Sequence, residues 1–182
     1  MAKVEVPAAR ATISESANSL LITIPTRKNW FLVIFMGFWL CGWLFGEIMV
    51  SRMLALGRMP AGASMFPIAW LGMWTVGGAF AIVTCLWNLA GKELIWLSPA
   101  TLMIKREVYG IGPVREYDLA NVANLRVQDT VIPVYFNQLQ MFGMGRIAFD
   151  YGAKTFRFAG GVDEAEAAQI VKLMKSHHNF AA

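Results

Sequence analysis

Charge is scarce in this chain. Only 15% of its 182 residues are Asp, Glu, Lys or Arg, while 57% are hydrophobic; an average soluble chain is about 25% charged. That shortage excludes a disordered chain, which combines low hydrophobicity with high charge. A strongly basic nucleic-acid binder is excluded as well. The net charge is +4, yet residues 91–182 carry ten basic and nine acidic side chains, and no clustered basic stripe of the kind nucleic acid requires is present. Cysteine is equally scarce. Cys41 and Cys85 each sit inside a hydrophobic run, with no CxxC and no Cys/His cluster at zinc spacing, so a disulfide scaffold and a zinc site are both out. Histidine is limited to the adjacent pair His177 and His178. Neighbours diverge by about 100° around a helix, a poor chelating geometry.

Motifs that would carry catalysis are missing too. There is no GxxxxGK(S/T) and no GxGxxG entering a helix, hence no phosphate cradle. There is no GxSxG and no HExxH. These residues predict no enzyme, no cofactor and no metal.

What the chain does have is two long apolar runs. Residues 30–50 hold one charge, Glu47, and residues 66–90 hold none. About 20 apolar residues cross the hydrocarbon core of a bilayer, so two spans joined by a hairpin connection at 51–65 are expected. Trp30, Phe66, Trp70 and Trp87 flank them like an interfacial belt. Glu47 lies near the outer end of span one and reads as an interfacial group reaching headgroup water or pairing with an arginine. Arg27 and Lys28 precede span one, Lys92, Lys105 and Arg106 follow span two, and Arg52 and Arg58 lie between. The positive-inside rule then puts both termini and the soluble domain in the cytoplasm. Gly42 and Gly46, Gly37 and Cys41, and Gly77 and Ala81 are small pairs four apart, suited to close helix approach. They serve either to pack the two spans together or, at Gly42 and Gly46, to make a lateral contact with another membrane protein.

Outside the spans the pattern changes. Residues 1–19 read as a flexible tail, and 20–29 as a short strand (Leu20, Ile22 and Ile24 alternating with Leu21 and Thr23) followed by a basic juxtamembrane stretch. Residues 91–182 read as six short strands with period-two alternation, which means an antiparallel sheet with one face on the core. A helix over 163–178 closes the domain. Asp163 caps it, with Glu166 three residues on, and Ala167, Ile170, Val171 and Met174 make its apolar stripe. Between the strands, residues 129–145 form a long apolar connection. Tyr135, Phe136, Met141, Phe142 and Met144 read either as a contact surface for a partner or as a further edge strand over Val131–Phe136.

Seven strands and a C-terminal helix match the element list of a pleckstrin-homology (PH) domain. The stretches RKNWFLVIFMGFWLCGWLFGE, LWNLAGKELIWLS, IKREVYGIGPVREYDLANVANLRV and RIAFDYGAKTFRFAGGVDEAEAAQIV resemble a family of uncharacterised bacterial membrane proteins with two transmembrane helices and a PH-like domain. The resemblance covers roughly residues 19–176. In layout, and in Trp87-Asn88 near the end of span two, the chain is distantly similar to photosystem I assembly proteins.

The expected fold is thus an α+β membrane protein: a two-helix transmembrane hairpin over 30–90 and a PH-like antiparallel β-sandwich or barrel over 91–182 ending in a helix. The resemblance implies the bacterial cytoplasmic (inner) membrane. The expected function is a membrane-anchored, non-catalytic interaction module. It would be an assembly factor or accessory subunit docking a membrane-protein partner, or a second copy of itself, through 131–144 and the Gly42/Gly46 face. The alternative is recognition of anionic lipid headgroups by Lys105, Arg106 and Arg115 around the Gly110–Pro113 turn.

Overall fold

The computed structural model describes residues 10–16, 18–57, 65–128 and 145–180. They form an α+β chain in two compact units. One is the segment Lys28–Leu89, and the other joins the residues up to Arg27 to those from Ala90 onward.

The segment Lys28–Leu89 is helical. Helices α1 (Trp30–Ala55) and α2 (Met65–Ala90) are both long and apolar enough to cross a membrane. Asn29 starts α1 by accepting the Leu32 N–H at 3.1 Å, satisfying one of the donors that a helix start leaves open. α1 continues past Val50 through Ser51–Ala55, a stretch with no helix breaker. It ends where Gly57 turns left-handed at φ +60°, with the Leu56 N–H donating to Arg52 O and the Gly57 N–H to Leu54 O, as a helix C-terminus favours.

Two tryptophans lock the helices together. The Trp43 indole N–H donates to Trp74 O (2.9 Å) and the Trp74 indole N–H donates to Trp43 O (3.3 Å). Each large ring thus buries its one donor on the partner's backbone. Trp74 also stacks on Trp70 with centroids 4.6 Å apart. The notch that admits Trp43 is Gly78, where a Cβ would overlap the indole ring. This corrects the expected Gly77–Ala81 notch: Gly77 faces open space, while Gly78 and Ala81 are buried. One residue is 100° of rotation on a helix, and the helix pair's phase selects position 78. Glu47 Oε1 lies 2.7 Å from the Thr75 hydroxyl of the facing helix, and among the described residues its buried Oε2 has no partner.

The other unit is antiparallel throughout. Strands β1 (Thr12–Ser16), β2 (Ser19–Pro25), β3 (Gly91–Leu97), β4 (Thr101–Val108) and β5 (Val114–Asp118) pair in sequence order into one sheet. A 3-10 turn (Leu119–Asn121) leads to β6 (Val122–Val127), β7 (Ile147–Tyr151) and β8 (Lys154–Phe158), which form a second sheet in that order. Helix α3 (Glu164–His177) follows and packs on β6. Residues 28–89 are inserted in the chain between β2 and β3. Those two strands meet at Pro25 and Lys92, with the Thr26 N–H donating to Gly91 O at 3.0 Å, so both ends of the insertion leave from one point of the sheet.

The expected alternation holds along β2: Leu20, Ile22 and Ile24 are fully buried, and Leu21 and Thr23 are not. Each such side chain contributes about 1.5–3 kcal/mol on burial. Ala167, Ile170, Val171 and Met174 of α3 join the same core. Asp163 caps α3 by accepting the Glu166 N–H at 2.8 Å. An aromatic cluster bridges the sheets, with Tyr117 of β5 edge-on to Phe149 of β7 at 4.9 Å.

The expected flexible tail over 1–19 is corrected at residues 12–16. These form the edge strand β1, in register with β2 from Thr12↔Thr23 to Ser16↔Ser19. Every β1 side chain is exposed, so no apolar alternation announced it. Backbone pairing holds it, together with the Glu166 carboxylate, which accepts the Ala11 N–H at 2.6 Å.

Candidate functional site

The β4–β5 hairpin is built by its turn. Tyr109 (φ +51°) and Gly110 (φ +85°) are both left-handed between the bonded pair Val108 and Ile111. That pairing is the two-residue turn whose twist matches antiparallel strands. The Lys105 ammonium donates to Gly110 O at 2.8 Å and braces the turn. Gly112 lies against the Arg106 carbonyl so closely that any Cβ there would overlap it. The turn leaves Tyr109, Ile111 and Val114 projecting, 76%, 82% and 51% exposed.

Below this tip, β4 and β5 meet β8 across a cavity of about 160 Å³. Its lining includes Ile104, Tyr117 and Phe156 together with Arg106, Arg115 and Arg157. Ile104 and Arg115 are cross-strand partners, which sets Arg115 over the cavity.

Arg106 is held rigidly. Its Nε donates to Glu93 Oε1 at 3.0 Å, its directly opposite residue on β3, and its Nη2 donates to Arg157 O at 3.1 Å. Glu93 Oε2 accepts the Ala159 N–H at 2.7 Å. This buried network ties β3 and β4 to the end of β8. Burial pushes the Glu93 carboxyl above its ordinary range, more than Arg106 and the Ala159 and Gly160 N–H groups pull it back. Removing water from a carboxylate is the larger effect.

A second group of charges lies on the opposite face of β4. Glu107 takes Lys105 Nζ on Oε2 (2.6 Å) and Lys92 Nζ on Oε1 (3.0 Å). Those two ammonium hydrogen bonds, from Lys105 first, hold its carboxyl below the usual range.

Arg115 and Arg157 differ from these groups. Among the described residues neither guanidinium makes a hydrogen bond or an ion pair. Among the described residues none that lines the cavity is acidic, and Glu93 pairs with Arg106.

The expected headgroup trio is thereby divided. Arg115 lines the cavity with no partner among the described residues, Arg106 lies in its wall already paired, and Lys105 points to the other face of β4, occupied by Glu107 and Gly110 O. Arg157 belongs to the site and was not singled out from sequence. Its place beside Phe156 and Phe158 reads as the outward side of an edge strand, and only sheet-to-sheet packing brings it to Arg106, 51 residues away. The expected lateral pair is divided too. Gly46 packs on the Trp74 ring at 3.7 Å within the hairpin, while Gly42 has nothing within 4 Å of a Cβ. Tyr135, Phe136, Met141, Phe142 and Met144 lie outside the described residues.

His177 and His178 are placed separately. The His177 ring is 3.1 Å from Leu173 O, and His178 packs edge-on against Phe180. No three His, Cys, Asp or Glu side chains cluster as metal ligands among the described residues. No family model, curated protein or solved structure matches the chain.

Proposed function

We propose that this protein is a membrane-anchored, non-catalytic interaction module. α1 and α2 span a bacterial inner membrane, and a PH-like domain at its cytoplasmic face docks a membrane-protein partner as an assembly factor or accessory subunit. The observation that carries the anchoring is the surface of α1. None of its side chains is buried, and Phe31, Ile34, Phe38 and Phe45 are each 69–83% exposed. Each such side chain forgoes about 1.5–3 kcal/mol if it faces water. At about 1.5 Å per residue a helix of this length exceeds the roughly 30 Å hydrocarbon core. The orientation rests on the lysines and arginines, five before span one or after span two and two at the connection.

The PH-like reading is supported by the element order. β2–β5 supply four strands, β6–β8 supply three, and α3 follows, with β1 added at one edge. Docking rests on the apolar residues of 131–144 and on the open Gly42 face. The test is a gentle-detergent pull-down of the full chain with mass spectrometry. A stoichiometric membrane protein is expected, and deleting 131–144 should abolish its recovery while the thermal midpoint stays put. Unchanged recovery from the deletion variant would sink the docking assignment.

A further inference from the structure

Glu47 is the one acidic or basic residue in the first apolar run, and the docking reading does not use it. α1 runs on to Ala55 and α2 begins at Met65. Glu47 therefore lies about 12 Å inside one helix end and Thr75 about 15 Å inside the other, at about 1.5 Å per residue. The hydrogens between them are too few. Thr75 Oγ is 2.7 Å from Glu47 Oε1 and also 2.7 Å from Leu71 O, while a hydroxyl carries one hydrogen. A helical threonine commonly gives that hydrogen to the carbonyl four residues back, which here is Leu71 O. The other contact then joins two oxygens, and it is attractive only if the carboxyl brings a hydrogen of its own.

A separate observation agrees. Glu47 Oε2 is buried, with no partner among the described residues. An ionised carboxylate accepts on both oxygens, and a charge left bare in apolar surroundings is costly. The facing run offers nothing to offset it, because residues 66–90 contain no Asp, Glu, Lys, Arg or His. On its own helix Arg52 makes no ion pair among the described residues. We propose that Glu47 is a proton-binding site of the helix pair. The carboxyl is held as the neutral acid, its Oε1–H donates to Thr75 Oγ, and the Thr75 O–H donates to Leu71 O. Two hydrogens then fill both short contacts, and the bare Oε2 is a neutral carbonyl oxygen. The site takes a proton and no larger ligand, since Oε2 is closed off. It rests on the contact between the two helices and is independent of any docked partner.

The test is infrared spectroscopy of the full chain in a non-ionic detergent and neutral buffer, read as differences between wild type and variants. A carboxylic acid and a carboxylate absorb in separate bands. Wild type minus Glu47→Gln should contain one carboxylic-acid C=O band and no carboxylate band. Thr75→Val removes the oxygen that the acid donates to, and it should move that same band to higher frequency, as a weaker hydrogen bond does. A purely structural role for Thr75 would not move it. Should Glu47→Gln fail to fold, the Thr75→Val difference decides alone. Loss of carboxylate bands in Glu47→Gln, with no acid band lost, overturns the site. An acid band that Thr75→Val leaves in place overturns the donation to Thr75.

Discussion

The two units handle polar groups in opposite surroundings. In the segment Lys28–Leu89 the apolar side chains face outward, and three polar contacts join the helices: Trp43 with Trp74 O, Trp74 with Trp43 O, Glu47 with Thr75. In the sheet unit the apolar side chains face inward. One ion pair, Glu93 with Arg106, is kept inside with its remaining valences met by Ala159 N–H and Arg157 O. The difference teaches what each interior depends on. Between the helices, position is set by steric fit, a ring in a glycine notch. Between the sheets, position is set by a buried charge network that tolerates no missing member, because a buried charge without its partner is costly.

Three measurements press on that contrast. The largest effect belongs to Glu93→Ala. It leaves the Arg106 charge without its carboxylate and the Arg106 Nε–H and Ala159 N–H without partners, and should destabilise the sheet unit by about 3–5 kcal/mol. Amide hydrogen exchange should show protection lost in β3, β4 and β8 while α1 and α2 peptides are unchanged. Equal loss in both units would show that the network does not belong to one of them.

Next is Gly78→Ala. A methyl group there overlaps Trp43, and over-packing costs about 1–3 kcal/mol. The indole fluorescence of the helix pair should shift and its unfolding midpoint fall. Gly42→Ala and Gly77→Ala, where a Cβ meets nothing, should leave both unchanged. An equal response at all three glycines would remove the notch from the account.

The smallest effect is at the surface. Asp150 takes Arg126 at 2.9 and 3.2 Å, Thr155 at 2.7 Å and Asn124 at 3.1 Å. These bonds, Arg126's first, lower its carboxyl from 3.8 to about 2. A carboxyl lowered on folding contributes stability that is fully present above its unfolded value and is lost as pH falls through the folded one. Wild type should therefore lose a small increment between about pH 4 and pH 2 in acid unfolding. Asp150→Asn should lack that increment, and identical acid curves would rule out the contribution.

Both apolar helices and α3 could be read from the chain because their signals are local. Long runs without charge, the stripe Ala167, Ile170, Val171 and Met174, and the Asp163 cap are each contiguous in the sequence. The alternation in β2 and the turn at Gly110 and Gly112 were legible for the same reason. β1 was not: its side chains are all exposed, so an ordered edge strand and a solvated tail have the same polar composition. Nor was the assignment of Gly78 over Gly77, which depends on how α2 is rotated against α1.

Composition and periodicity by themselves determined that this protein carries two bilayer-length apolar helices and a half-buried antiparallel domain closed by a helix. Burial of apolar surface is additive along the chain and leaves its period in the residue order. Only the tertiary structure decided which charges are spent and which remain. Arg106 is paired with a carboxylate 13 residues away, while Arg157, 51 residues from Arg106 in sequence, supplies that pair with a backbone carbonyl, and its own guanidinium has no partner among the described residues. A charge's partner is set by distance in space, and the order of residues along the chain does not record it.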